Sequence, residues 1–281
     1  MKEPARVARR RYSVVDRLST WAEMEMLLRR EDPVLVYSMG KAGTSALTHA
    51  LEAATPRPVL KAHTLNQREL RRRISAANSS VSGHRPRFWW RSQWLSLHMR
   101  ASRRRRWQII TAVREPVARA VSAYFYGLQS QFERGAIDHI SSSAEDHRDD
   151  ICTMIRRLGV EQDWFRTELE ATTGIDVYAH PFDPTQGSQL IPGDRHSLLL
   201  LRFEDFDRAG PSAIGNFLRE TTEISLVPVN VNRTKNAGPY ASFLKNANLP
   251  LPLLSAVYSS ELCEHFYTRE ERTQFIERWT A

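Results

Sequence analysis

Two cysteines in 281 residues, Cys152 and Cys263, are too few and too far apart for a disulfide framework or a zinc site. Both read as inert thiols, and no metal is expected. No stretch approaches the ~20 consecutive apolar residues that a membrane span requires. The basic start, MKEPARVARRRYSVVDRL, lacks the apolar core of a signal peptide. The expectation is a soluble, cytoplasmic chain with no membrane span, while peripheral contact with a membrane stays open. Internal repeats are missing as well. A strict nucleoside-triphosphate P-loop, GxxxxGK[ST], is absent: it needs a glycine five residues before Gly40 and Ser or Thr after Lys41, where Leu35 and Ala42 stand. Acidic residues are also missing over a long stretch, from Leu70 to Arg114.

A hydrophobic content of 41% at this length suits one large core, or at most two modest ones, and one catalytic domain is expected. We place that domain at 31–281, behind a basic arm and short helix at 1–30. The helix, Ser19 to Arg30, would present Trp21, Met24, Leu27 and Leu28 on one face. A net charge of +8 and a pI near 9.8 favour an anionic partner, be it nucleotide, acidic glycan, membrane surface or nucleic acid.

The chain is organised around PVLVYSMGKAGTSALTHALE, Pro33 to Glu52. Val34 to Tyr37 do not alternate in polarity, which predicts a strand buried on both faces of a parallel sheet. Gly40 and Gly43 flank a turn, and from Thr44 the apolar residues Leu47, Leu51 and Ala54 recur at helical spacing until Pro56. A strand feeding a glycine turn into a helix gathers unused backbone N–H groups where the helix dipole also favours negative charge. The turn is therefore a candidate phosphate loop, with an ordinary glycine turn and an exposed lysine as the plainer account.

Further strands are expected at Pro58–His63, Trp107–Val113, Gly174–Tyr178 and His196–Leu201. His63 closes the second, where open parallel sheets place their ligand crevice. Arg114-Glu115-Pro116 follows the third and opens a helix to about Gln131, with proline in the first turn, where it is tolerated best. Val117, Val121, Tyr124, Phe125 and Leu128 would line its buried face, leaving Arg119 and Ser122 on another edge. Asn78–Pro86 reads as a loop, Ser212 as a helix start, and Thr268-Arg269-Glu270-Glu271 as a capping box before the last helix.

Arginine and tryptophan crowd the acid-free stretch: Arg71 to Arg73, then Arg85, Arg87, Trp89, Trp90, Arg91 and Trp94, then Arg103 to Trp107. One account is a basic surface with tryptophans packed beneath it. The other is a cleft for an anionic or sugar-like acceptor whose rings stack on indoles.

Lys41-Ala42-Gly43-Thr44-Ser45 after a buried strand resembles the Lys-x-Gly-Thr-[Thr/Ser] loop with which sulfotransferases hold the 5′-phosphosulfate of 3′-phosphoadenosine 5′-phosphosulfate (PAPS). Arg114-Glu115-Pro116 followed by Ser122 is similar to their Arg-[Asp/Glu]-Pro…Ser pattern for the 3′-phosphate. Arg202-Phe203-Glu204-Asp205-Phe206 looks like a later [Arg/Tyr]-x-Glu-Asp-[Leu/Phe] run, although an acidic turn capping the next helix would explain it too. Together with DWF, GIDVYAHPF and the closing FYTREERTQFIERW, the order of motifs resembles bacterial sulfotransferase-like capsular polysaccharide synthesis proteins, over roughly Pro33 to Trp279.

The resemblance implies an α/β, P-loop-like three-layer fold with a central parallel sheet of about five strands flanked by helices. It implies PAPS as co-substrate, with Gly40, Lys41, Ala42, Gly43, Thr44, Ser45, Arg114 and Ser122 in its site. Arg233 and Lys235, in a late basic loop, would close over the nucleotide. Lys61-Ala62-His63 resembles the Lys-x-His of cytosolic sulfotransferases, where the histidine is the base, so Lys41 and His63 are the catalytic candidates. Glu52 and Glu115 are weaker candidates for the base. The acceptor would be a carbohydrate or other hydroxyl compound, anionic in one version, and no nucleic acid is expected. Two rivals remain at this point: a P-loop kinase acting on a small hydroxyl compound, and a non-catalytic polyanion-binding protein.

Overall fold

A computed structural model of the chain describes residues 21–27, 32–79, 87–101, 106–160, 163–220, 224–226 and 237–281. Five strands form one sheet in the order β2-β1-β3-β5-β4: β1 (Val34–Tyr37), β2 (Val59–Ala62), β3 (Trp107–Val113), β4 (Ser188–Pro192) and β5 (His196–Arg202). All pairings are parallel except β4 with β5. The unbroken apolar run of β1 is buried at all four positions because β1 lies between β2 and β3. From β1 the chain first goes to β2 on one side and then crosses to β3 on the other. Strand order therefore reverses beside β1, and the crevice beyond the carboxyl ends of β1 and β3 is where such sheets bind ligands.

Helices flank the sheet in the three-layer α/β manner, and their labels follow chain order: α1 (21–27), α2 (Thr44–Ala54), α3 (Gln67–Ser79), α4 (Arg87–Ala101), α5 (Pro116–Glu133) and α6 (Glu145–Ile155). After two π-helical turns, Arg156–Val160 and Phe165–Glu170, come α7 (Ala171–Thr173), α8 (Phe206–Leu218), α9 (Ala237–Lys245), α10 (Leu251–Tyr258), α11 (Glu261–Phe266) and α12 (Arg269–Thr280). One apolar cluster surrounds the sheet, and a second joins α5 and α6 to α9, α10 and α12. Among the described residues no helix is long and apolar enough to cross a membrane.

Four expectations change. The expected strand at Gly174–Tyr178 is not one: Gly174 turns left-handed at φ +77, and Asp176 caps a 3₁₀ turn by accepting the Tyr178 N–H at 2.9 Å. Its buried Ile175 and Val177 mimic strand alternation, but the local side-chain bond competes with a ladder. The fifth strand is instead β4, the antiparallel edge. Helix α8 starts at Phe206, six residues before Ser212, and carries Pro211 inside it at the loss of one ladder bond. The loop expected from Asn78 starts later, since α3 runs through Ser79. Finally, Arg119 and Ser122 are buried, because the first two turns of α5 are enclosed on every side. The capping box at Thr268 and Glu271 is present as expected.

Candidate functional site

The β1–α2 turn shows why glycine is required in it. Gly43 precedes α2 at φ +78, and a Cβ there would lie 2.5 Å from the Phe206 ring and 2.7 Å from the Phe203 ring. Lys41 is also left-handed, at φ +68, a strained state for a side-chain-bearing residue. Leu47 N–H to Gly43 O is the first bond of the α2 ladder, so the N–H groups of Thr44, Ser45 and Ala46 precede it and have no place in the ladder. Thr44 is buried, and Ser45 Oγ accepts a hydrogen bond from Lys61 Nζ at 3.0 Å.

Arg114, at the carboxyl end of β3, donates through Nη1 to the Lys41 carbonyl at 2.9 Å. The other side of its guanidinium plane is supported by the Phe203 ring, 4.4 Å from Cζ to centroid. The next residue caps α5: Glu115 accepts from the N–H groups of Val117 and Ala118 at 2.7 Å each, while Tyr258 OH and Trp279 Nε1 close over it. The Arg-Glu-Pro motif thus divides into an arginine that faces the β1 turn, a glutamate that caps the helix and a proline at its first position. Glu115 is fully buried and its oxygens are occupied, which removes it as a base candidate.

The cations of this edge act on one another. Lys41 has its pKa lowered to about 8, by burial first and then by the charges of Arg114 and Lys61. Lys61 is lowered as well, by burial, against an opposing pull from Glu52. A half-buried lysine whose charge is opposed by two neighbouring cations marks a place for an anion. Near Arg114 is Glu204, raised to about 7 by burial first and by the Glu115 carboxylate, against the Glu115 N–H bond and the Arg114 charge. It is open to solvent yet surrounded by protein atoms, as on the wall of a cleft, and it accepts from the Glu115 N–H at 2.9 Å and from Tyr267 OH at 3.2 Å.

His63 stands just past β2, with Nδ1 2.7 Å from the Ser38 carbonyl. A carbonyl only accepts, so Nδ1 carries the proton and Nε2 keeps its lone pair. Ser38 is itself fixed, its hydroxyl donating to Ala112 O at 2.9 Å and accepting from Ala112 N–H at 3.1 Å. Burial is the main cause lowering the histidine pKa below its ordinary value, and Lys61, Arg73 and Lys41 add to it against the Ser38 bond. The ring is therefore neutral near pH 7, as a general base must be.

Of the expected residues, the structure brings Gly40 to Ser45, Arg114 and His63 to the same edge of the sheet, with Ser122 two turns into the helix that Arg114 precedes. Arg233 and Lys235 lie outside the described residues, as do Arg85 and Arg103 to Arg105. Glu52 is exposed on α2. The indole cleft is corrected: Trp90, Trp94 and Trp107 are buried in the protein, and Trp94 packs on His98 at 3.9 Å between centroids. Arg91 is turned away to Glu23 of α1, at 2.7 Å. Arg202 is not on the site either, being buried against Asp205 and Glu271. Asp205 stands at the N-cap position of α8, as the acidic-turn account expects, but its carboxylate pairs with Arg202 and Arg208 and makes no side-chain cap bond.

Sequence reading did not assign Phe203 or Tyr126 to the site. Phe203 supports Arg114 and crowds Gly43, and an exposed Tyr126 ring lies under the Lys41 ammonium, 4.1 Å from Nζ to centroid. A hollow of about 430 Å³ against the edge strand, lined by Gln186, Gln189, Leu190, Asn216 and Phe217, has Asp183 and no cation in its wall, so it does not suit an anion.

Residues 154–268 match a protein family described as "Putative capsular polysaccharide synthesis protein". The similarity is to polysaccharide synthesis. No curated protein and no solved structure matches the chain. The matched segment contains β4, β5, Phe203 and Glu204 but neither the Lys41 turn nor Arg114. Its contribution to the site is the wall that supports Arg114 and the β1 turn.

Proposed function

We propose that the protein transfers a sulfuryl group from PAPS to a hydroxyl of a carbohydrate, in keeping with the similarity to capsular polysaccharide synthesis. The observation that carries this reading is the bond from Arg114 to the Lys41 carbonyl. It joins two motifs, separated by 73 residues, into one cationic edge beside a neutral histidine. The Gly40–Ser45 turn and the first N–H groups of α2 take the 5′-phosphosulfate, and Arg114 with Ser122 takes the 3′-phosphate, an arginine fork suiting phosphate geometry.

In the transfer step the acceptor oxygen attacks sulfur while the bond from sulfur to the 5′-phosphate oxygen breaks. The electron pair leaves on that phosphate oxygen, where Lys41 balances the growing charge, and the acceptor proton passes to Nε2 of His63. Catalysis of this kind is mainly positioning and electrostatic stabilisation. Glu52 is the alternative base.

The test is a melting experiment. Adenosine 3′,5′-bisphosphate at ~100 times its dissociation constant should add about 2.7 kcal/mol. Stabilisation by ATP with Mg²⁺ but not by the bisphosphate would indicate a kinase. Stabilisation by a sulfated polysaccharide alone would indicate a polyanion-binding protein.

A further inference from the structure

The segment that follows His63 is clasped by two side chains from the π-helical turn at Phe165–Glu170 and the residue before it. Trp164 Nε1 donates to the His63 carbonyl at 2.9 Å. Oε2 of Glu168 accepts from the N–H groups of Leu65 and Asn66 at 3.0 Å each, and from Tyr37 OH at 2.7 Å. Asn66 Nδ2 closes the clasp on the Thr167 carbonyl at 2.8 Å, and the Tyr37 ring meets the Trp164 indole edge-on at 4.9 Å. Tyr37 is the last residue of β1, one before the Ser38 whose carbonyl holds the histidine ring.

This is an expensive way to secure a loop. Glu168 is only 2% exposed, and its Oε1 is buried with no partner among the described residues. A buried carboxyl oxygen left unsatisfied carries a desolvation cost, and a packed apolar residue would have avoided that. Single-turn π-helices of this kind often occur at functional sites. The clasp fixes the backbone at His63, Leu65 and Asn66 and reaches Ser38 through Tyr37, so it sets both ends of the bond that defines the imidazole tautomer.

We infer that Trp164 and Glu168 are positioning residues for His63, holding its ring on the Ser38 carbonyl in the Nδ1–H form that leaves Nε2 as the base. The inference rests on the proposed sulfuryl transfer only for the role of the histidine, and its structural part can be tested without activity. Both residues lie inside the segment 154–268, whereas His63 lies outside it.

The variants are Trp164→Phe, which keeps the ring and removes the donor, Glu168→Ala, which removes the acceptor of three bonds, and Glu168→Gln, which keeps one oxygen for them. In a long-range ¹H–¹⁵N histidine spectrum the unaltered protein should show His63 as the Nδ1–H tautomer. Trp164→Phe and Glu168→Ala should show a tautomer mixture, and Glu168→Gln should restore the original signal. In transfer from PAPS, the first two should lose kcat by about 10- to 100-fold, as a misplaced reacting group does. Bisphosphate affinity should stay within about twofold, and Gln should recover most of the rate. A merely structural Glu168 would lower the melting temperature while folded protein kept its kcat and its histidine signal. Unchanged tautomer and unchanged kcat in folded Trp164→Phe overturn the inference even if Glu168→Ala does not fold. Absence of sulfuryl transfer in the unaltered protein would count against the proposed function and leave the tautomer result to decide the clasp.

Discussion

The ammonium of Lys41 rests over the ring of Tyr126, 4.1 Å from Nζ to centroid, while its carbonyl accepts from Arg114 at 2.9 Å. The ring is 58% exposed, so the lysine is held at the mouth of the cleft by a weak contact of about 0.5–1 kcal/mol. An arriving phosphate can displace that contact at little cost. The depressed pKa follows from the same setting: burial and two neighbouring cations oppose the charge until an anion arrives.

A proton-linkage prediction follows from that pKa. Lys41 titrates at about 8 in the empty protein, and bound phosphates must raise it. Below pH 8 the lysine is charged in both states and binding moves no proton through it. Above that, binding takes up a proton, and affinity for adenosine 3′,5′-bisphosphate falls as pH rises. Calorimetry in buffers of different ionisation enthalpy should show this uptake near pH 9, and Lys41→Met should abolish it. Equal uptake in the variant would move the linkage elsewhere, with Lys61 the next group to test.

Lys41→Ala should lower kcat by about 10²–10³-fold, the scale for losing one stabiliser of developing charge. Bisphosphate affinity should weaken only modestly, because the largest interaction arises as the leaving oxygen gains charge. Equal losses of rate and affinity would make Lys41 a phosphate clamp.

Arg114→Ala removes the support of the Lys41 carbonyl and, on the proposed reading, a charged partner of the 3′-phosphate. A hydrogen bond to a charged group contributes about 1.5–3 kcal/mol, and adenosine 5′-phosphate, which has no 3′-phosphate, senses the variant only indirectly through the turn. Bisphosphate affinity should therefore drop by about 10- to 150-fold, and adenosine 5′-phosphate affinity by about tenfold or less. The 5′-phosphate loss reports the loop, and the excess reports the 3′ contact. Equal losses for the two ligands would remove the 3′-phosphate assignment.

Gly43→Ala combines a left-handed backbone at φ +78 with a methyl group 2.5 Å from Phe206 and 2.7 Å from Phe203. The backbone term is about 1–2 kcal/mol and overpacking adds about 1–3. A melting temperature lowered by several degrees with loss of bisphosphate binding is the expected result. Gly40→Ala, whose Cβ would meet nothing within 4 Å, should be nearly silent in the melt.

The sequence made the strand-loop-helix centre legible because a continuous apolar run, a glycine turn and a 3.6-residue period leave few alternatives at Val34 to Ala54. His63 was readable because its position at a strand end follows from β2 alone. What was not readable depends on distant packing. Trp90 and Trp94 look like binding-site indoles in sequence but are buried in α4, and the stacking partner of Arg114 is Phe203, 89 residues on in chain terms. Glu115 is a candidate base in sequence until Tyr258 and Trp279, from the C-terminal helices, are seen to close over it. β4 escaped because a short edge strand bearing Gln189 and Pro192 lacks the β-branched run by which strands are recognised.

The last prediction concerns His63 as the base and the form its pH profile must take. The proton-accepting form is the neutral ring, so kcat/KM should be flat near pH 7 and fall on the acid side. Burial and the charges of Lys61, Arg73 and Lys41 lower the histidine pKa, so the fall should begin below the ordinary histidine value of about 6.5. Bound PAPS adds negative charge nearby, which moves the ring the other way. The limb seen in kcat should therefore lie at higher pH than the limb in kcat/KM, since the former reports the loaded enzyme and the latter the free one. His63→Ala should remove both limbs and lower the rate by about two to four orders of magnitude while leaving bisphosphate affinity in place. The assay is transfer of labelled sulfate from PAPS to polysaccharide, with small phenols and lipid alcohols as controls. An unchanged acid limb in His63→Ala would assign it to Glu52, the exposed carboxylate of α2, and Glu52→Gln would then be the variant that flattens the profile.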